Sequence, residues 1–187
     1  KKILKKDLNV NSEVIYNPLN KKEIIKKSKK SSRKIFNSSS KLKILNIGRF
    51  TDQKDQLTFL KSLNQIKDKI SFEACLVGRG VLKQKLEKYI LDNKLNHFVK
   101  ILNFTENPYP LMKQANLFIL TSKYEGLPNV LLEALVLKKF IISSSCETGP
   151  KEILLNGNGG LLFKVGNYKE LAKKIIFYTM NKPKCKK

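Results

Sequence analysis

From Lys43 onward the chain alternates between two hydrophobic patterns. Short apolar runs, closed by glycine or a polar residue, are separated by stretches whose apolar positions recur every three or four residues. The first run is Ile44-Leu45-Asn46-Ile47-Gly48, and Leu57, Leu60, Leu63 and Ile66 follow it at helical spacing. Phe72 to Gly78 is a second strand-like run, followed by the amphipathic series Leu82, Leu86, Tyr89 and Ile90. Phe98 to Leu102 predicts a third strand and Tyr109 to Ala115 a short helix. Leu117-Phe118-Ile119-Leu120, apolar throughout, precedes a helix expected over Pro128 to Lys138. A strand over Phe140 to Ser143, a short helix over Gly149 to Leu154, a strand over Leu161 to Phe163 and a helix over Tyr168 to Tyr178 complete the series. There is no internal repeat.

Strands alternating with helices imply βαβ units and a parallel sheet. Runs that are apolar on both faces fit a sheet covered by helices on each side. Right-handed crossovers then predict an α/β, Rossmann-like doubly wound parallel sheet over residues 42–180. Ligands of such sheets bind at the carboxyl ends of the strands. The chemistry is therefore expected just after Gly48, Gly78, Leu102 and Leu120.

Residues 1–41 read differently. Glu13 to Leu19 suggests a short strand ending in the Asn17-Pro18 turn, Lys21 to Lys30 a polar helix, and Ser31-Ser32 and Ser38 to Ser40 loops. This segment is expected to be a basic connector rather than a separate domain, and residues 181–187 a basic tail.

The 187 residues are 41% hydrophobic and 28% charged, which supports a buried core and excludes a disordered basic tail. No apolar run approaches 18 residues, so no spanning helix is predicted. The first residues have no apolar stretch of signal-peptide length, and the missing initial Met suggests a piece of a longer chain. Cys75, Cys146 and Cys185 are dispersed and lack metal-ligand spacing, as expected of reduced thiols in a cytoplasmic protein. The single histidine, His97, supports no His-centred triad and is expected at a surface or edge.

The net charge of +23 raises nucleic acid as a partner. Yet Arg33, Arg49 and Arg79 are the only arginines, and aromatic residues are not interleaved with the lysines. Residues 1–41 hold 13 Lys or Arg against 3 Asp or Glu, and the other 146 hold 25 against 12. A solvated lysine-rich surface or contact with an anionic membrane are the competing readings. A nucleic-acid module is the alternative of a different class, and it predicts steeply salt-dependent binding.

Three strand ends carry candidate chemistry. Gly48-Arg49-Phe50-Thr51-Asp52-Gln53-Lys54 places two cations after the first strand, with Lys54 expected about where the first helix begins, at an N-terminus that also attracts anions. That set suits a diphosphate. Gly78-Arg79-Gly80 is weaker, because glycine is ordinary turn chemistry. Tyr124-Glu125-Gly126-Leu127-Pro128-Asn129 leads into an apolar helix carrying Glu133. Pro128 suits a first helical turn whose N–H groups are open to a ligand. A carboxylate among apolar neighbours needs donors, which vicinal ribose hydroxyls, a structural ion pair or solvent could supply. Glu125 can reach the same pocket from the loop.

Glu125 and Glu133, with seven residues between them, match the E-x7-E signature of the retaining family 4 glycosyltransferases of GT-B architecture. Gly48-Arg49 through Lys54 resembles their G-R-x4-K motif. Asn107-Pro108, Gly126-Leu127-Pro128-Asn129, Gly149-Pro150-Lys151-Glu152-Ile153-Leu154 and Gly159-Gly160-Leu161-Leu162 resemble further blocks in the family's order, and Val14 to Pro18 resembles the interdomain linker. The resemblance implies the nucleotide-sugar-binding C-terminal half of a two-domain enzyme. Arg49 and Lys54 would hold the diphosphate of a nucleotide sugar, a UDP-sugar by the resemblance, beside Gly48 and Gly78. Glu133 would bond the ribose. Glu125 and the backbone of Gly126, Leu127, Pro128 and Asn129 would hold the sugar, and Leu102, Asn103 and Phe104 would border the base. Glu125, Arg49 and Lys54 would be the catalytic set. The resemblance further implies no metal or other cofactor, a glycan or lipid-linked acceptor bound through an N-terminal domain that this chain lacks, little activity of the chain alone, and a place in the cytoplasm or on the inner face of the membrane. A nucleotide-sugar epimerase of similar architecture is the nearer alternative.

Overall fold

A computed structural model of the chain describes residues 18–181. The strands are β1 (Leu42–Ile47), β2 (Phe72–Gly78), β3 (Val99–Asn103), β4 (Leu117–Leu120), β5 (Phe140–Ser144) and β6 (Leu161–Phe163). They form one sheet in the order β3-β2-β1-β4-β5-β6, with every neighbouring pair parallel. The helices are α1 (Lys21–Ser28), α2 (Gln56–Ile66), α3 (Lys83–Asp92), α4 (Tyr109–Gln114), α5 (Asn129–Val136), α6 (Pro150–Ile153) and α7 (Tyr168–Met180). The strand order reverses between β1 and β4, the position at which doubly wound sheets open a crevice.

Alternate residues of each strand feed two cores. Ile44, Leu76, Leu117 and Ile119 pack with Phe59, Leu63, Leu86 and Ile175 from α2, α3 and α7. Leu45, Val77, Phe118 and Leu120 pack on the other face with Met112, Leu131 and Ala134 from α4 and α5. Both faces are covered, which is why these strands read as continuous apolar runs.

Local chemistry sets the element ends. Asn20 and Asn167 cap α1 and α7 by accepting from the N–H groups of Glu23 and Glu170, each at 3.0 Å. The helix carrying Glu133 is shorter than expected. It begins at Asn129, with Pro128 as its cap. It ends at Val136 because Lys138 turns to φ 54° and the Lys139 N–H closes onto the Ala134 carbonyl at 2.9 Å. A short 3-10 turn, Asp52–Lys54, was not visible in the apolar pattern.

Packing runs across residue 42 into the stretch read from sequence as a connector. Ile24, Ile35 and Phe36 are buried, and α1 lies against α4 and α5. The Gln114 side chain accepts from the Ile35 N–H at 2.9 Å and donates to the Arg33 carbonyl at 3.0 Å. Asn107 Nδ2 donates to the Lys27 carbonyl at 3.2 Å. Of the strand expected over Glu13 to Leu19, only Pro18 and Leu19 are described, and they are not in a strand. Cys185 and all but the first residue of the expected tail lie outside the described residues.

Candidate active site

The crevice begins where β1 and β4 part. They pair only at Ile44 with Leu117 and Leu45 with Phe118. Beyond this, buried Asn46 spans the gap by donating from Nδ2 to the Ile119 carbonyl at 2.9 Å. On the other side of β1, the loops after β1 and β2 meet backbone to backbone. A Cβ on Gly78 would lie 1.9 Å from the Gly48 carbonyl oxygen, so only glycine fits there. Above this contact opens a cleft of about 400 Å³, lined by Gly48, Arg49, Gly78, Arg79, Phe104, Tyr109 and Glu133 among others.

Glu133 enters this cleft from α5. It is half-buried, and its Oε1 accepts from the Tyr109 hydroxyl at 3.2 Å. Burial pushes the carboxyl above its usual range, with the Tyr109 hydrogen bond pulling the other way. The Tyr109 hydroxyl is pushed up to about 12 by its own burial and by the neighbouring Glu133 charge. The ion pair considered for Glu133 is not found among the described residues. Its partner is a phenol, which leaves carboxylate acceptor capacity toward the cleft.

The second charged group lies beside Gly48. Lys54 Nζ meets Glu125 Oε1 at 2.5 Å, with side-chain exposures of only 17% and 7%. Ser122 Oγ donates to the same oxygen at 2.6 Å. Lys54 does not begin the helix, as expected from sequence. It ends the 3-10 turn, and Asp55 intervenes at φ 44° as the cap of α2. Asp55 accepts from the Thr58 N–H at 3.2 Å and from the Thr58 hydroxyl at 2.7 Å. The α2 N-terminus is thus already occupied by a carboxylate. The anion attraction expected of this N-terminus is therefore met from within the chain, by Asp55.

Gly126, Leu127, Pro128 and Asn129 link Glu125 to α5. The loop is held from behind, not by glycine freedom at Gly126, whose φ is ordinary and whose absent Cβ would touch nothing. Gly149, at φ 81°, leaves room for the Gly126 carbonyl, which a Cβ would approach to 2.2 Å. Thr148 Oγ1 donates to the Glu125 carbonyl.

The structure therefore brings Gly48, Arg49, Gly78, Phe104 and Glu133 to one cleft and places Lys54 and Glu125 together at its β1 side. Leu102 and Asn103 are not among the cleft-lining residues. Leu102 packs on the core, and Asn103 accepts from Lys83 Nζ at 3.0 Å on the exposed side. His97 is exposed and precedes β3, at the edge away from the cleft. Arg79 belongs more firmly than expected, its guanidinium lying 4.5 Å over the half-exposed Phe104 ring. Sequence reasoning missed Tyr109 and Ser122. Ser122 stands three residues before Glu125, a Ser-x-x-Glu spacing that resembles a capping box but here joins two side chains.

The cleft opens at the carboxyl ends of the strands, where doubly wound sheets bind their ligands, with the Lys54–Glu125 pair beside it. Residues 27–187 match the family model of the glycosyl transferases group 1, and the chain belongs to that family. It is 39% identical over 126 residues to an uncharacterized glycosyltransferase of Methanocaldococcus jannaschii, covering 67% of this chain and 30% of that one. It is 30% identical over 124 residues to the N-acetylgalactosamine-N,N'-diacetylbacillosaminyl-diphospho-undecaprenol 4-alpha-N-acetylgalactosaminyltransferase of Campylobacter jejuni, covering 66% and 33%. The chain thus spans about a third of the length of these relatives. The fold is that of the GT-B glycosyltransferases. The crystal structure of Anabaena HepE with UDP-glucose superposes with a TM-score of 0.71 at 23% identity, over 79% of this chain and 42% of that one. No helix among the described residues is long and apolar enough to cross a membrane.

Proposed function

We propose that this chain is the C-terminal, donor-binding half of a retaining family 4 glycosyltransferase that takes a UDP-sugar. In this reading residues 42–180 bind the nucleotide sugar, residues 1–41 lead from an N-terminal domain, and residues 181–187 are a basic tail. The observation that carries it is the meeting of Lys54 and Glu125. They come from two separate motifs, lie 71 positions apart, and touch beside the cleft that holds Arg49 and Glu133.

Arg49 and Lys54 hold the diphosphate and stabilise its charge as the glycosidic bond breaks. Removing one such group typically costs roughly 10²–10³ in rate. Glu133, oriented by Tyr109, accepts from the ribose hydroxyls. Glu125 and the backbone from Gly126 to Asn129 take the sugar, and Phe104 borders the base with Leu102 and Asn103 behind it. Because two side-chain cations face the leaving diphosphate, the proposed transfer needs no divalent metal or other cofactor. The acceptor is a glycan or lipid-linked glycan bound by the rest of the enzyme, so the chain alone binds donor with little turnover. The undecaprenol-linked substrate in the Campylobacter relative's name and the UDP-glucose in the Anabaena crystal support these choices. Lysine excess favours the inner face of an anionic membrane, with no role for nucleic acid.

The test is a calorimetric screen of nucleoside diphosphates and their sugars in excess EDTA. Binding of UDP and at least one UDP-sugar supports the reading. No nucleotide binding at millimolar concentration, or binding that appears only when Mg²⁺ or Mn²⁺ is added, overturns it.

A further inference from the structure

Beyond the groups that face the ligand, the geometry assigns Thr121 and Ser122 as positioning residues, which hold Lys54 and Glu125 in place for the donor. The inference rests on the donor-site reading above. Both residues are fully buried just past β4. Successive residues of an extended chain point to opposite sides, and here each hydroxyl takes one of the two charged residues. Thr121 Oγ1 donates to the Lys54 carbonyl at 2.9 Å, fixing the backbone from which the ammonium extends. Ser122 Oγ donates to Glu125 Oε1 at 2.6 Å.

The dipeptide is itself anchored. The Ser122 carbonyl accepts from the Ser144 hydroxyl at 2.6 Å and from the Cys146 thiol at 2.9 Å, both buried at the end of β5. The following residue extends the link to the 3-10 turn. The Lys123 N–H donates to the Gln53 carbonyl at 2.8 Å, and its ammonium pairs with Asp52 at 2.7 Å. The turn bearing Lys54 and the loop bearing Glu125 are therefore one unit, laced through residues 121–123.

The two hydroxyls have separable effects. With no ligand, Lys54 and Ser122 converge on one carboxylate oxygen. A diphosphate draws the Lys54 ammonium toward itself, and Ser122 is then the donor that still orients Glu125. Its contribution is largest when Glu125 must meet sugar hydroxyls. Thr121 acts through Lys54 and so on the diphosphate, which UDP and a UDP-sugar share.

The experiment compares wild type with Thr121→Val, Ser122→Ala and Ser122→Thr in the full chain. UDP and the UDP-sugar of highest wild-type affinity among UDP-glucose, UDP-galactose and their N-acetylated forms are titrated by calorimetry, with thermal unfolding in parallel. Loss of a hydrogen bond to a charged group corresponds to roughly tenfold or more in affinity. Ser122→Ala is expected to lower the affinity ratio of UDP-sugar to UDP by about that factor, and Ser122→Thr to restore it. Thr121→Val is expected to weaken both ligands together. A merely structural effect would move both ligands equally in Ser122→Ala and follow the melting temperature, and that result overturns the inference. Per-lysine acylation read by mass spectrometry gives a ligand-free arm. Lys54, protected in the wild type, is expected to react roughly two- to tenfold faster in Thr121→Val, as the loss of a hydrogen bond to a neutral carbonyl implies, and no faster in Ser122→Ala, which leaves its pairing with Glu125 in place. Unchanged Lys54 reactivity in Thr121→Val refutes the positioning role whether or not nucleotide binds. Raised reactivity in a chain that binds no nucleotide supports the positioning and removes the donor reading instead.

Discussion

Replacing Gly78 with alanine tests whether the cleft floor depends on backbone contact between the β1 and β2 loops. The added Cβ would stand 1.9 Å from the Gly48 carbonyl oxygen and 3.1 Å from the Phe50 ring. Cβ atoms essentially never approach closer than 3.0 Å, so Gly48 must retreat by about 1.1 Å. Phe50 is fully buried and cannot yield freely. The retreat also strains the Gly48 N–H bond to the Val77 carbonyl, now 3.0 Å. Overpacking costs roughly 1–3 kcal/mol and a weakened backbone hydrogen bond about 1 kcal/mol more, a total near 2–4 kcal/mol. At roughly 2–4 °C per kcal/mol for a domain of this size, the melting temperature should fall by about 5–15 °C. Arg49 moves with Gly48, and a 1 Å misplacement of a binding group can cost about 10²-fold. Differential scanning calorimetry and UDP titration measure both effects. Gly159→Ala is the control, because its Cβ would meet Leu154 at an ordinary 3.5 Å and should change stability by no more than about 0.5 kcal/mol. A Gly78→Ala chain that melts within 2 °C of wild type, by rough allowance for scan error, and binds UDP equally well would refute the reasoning.

Two further perturbations probe other parts of the account. Glu133→Gln removes a carboxylate whose burial raises its pKa. A raised folded-state pKa means the native state binds the proton more tightly, so stability is highest below the ordinary value of 4.5 and falls as pH rises through the raised one. The variant should therefore lose this pH dependence in melting experiments and be at least as stable as wild type at pH 7, while its UDP affinity drops by roughly 10- to 100-fold for want of a charged acceptor. Lys138→Gly, at the φ 54° position that ends α5, should raise stability by about 0.5–1 kcal/mol in urea unfolding, because glycine carries no Cβ penalty there.

How far the sequence carried the account can be seen residue by residue. β2, β4 and β6 have the boundaries expected of them, because a strand buried on both faces leaves an unbroken apolar run that ends where the chain leaves the sheet. The doubly wound parallel sheet followed from the βαβ rhythm and the handedness of crossovers. Arg49 and Glu133 share a cleft as their places after β1 and on α5 required. What stayed hidden depended on side-chain partners distant in sequence. Tyr109 lies 24 positions from Glu133, and no local pattern announces their hydrogen bond. Asp55 in the left-handed region moved the start of α2 past Lys54 and used its N-terminus, an effect that helical periodicity does not register. Gln114 draws residues 32–35 onto α4 through one amide, a contact that the lysine-rich pattern of this stretch does not announce.

The most direct measurement of the central claim is a UDP titration of the Arg49→Ala, Lys54→Ala double variant beside wild type, with circular dichroism to confirm the fold. Two charge-assisted contacts to a diphosphate, each worth roughly 1.5–3 kcal/mol, predict an affinity loss of at least about 100-fold in a chain that remains folded. A folded double variant that binds UDP as tightly as wild type would contradict the assignment of this cleft to the donor diphosphate.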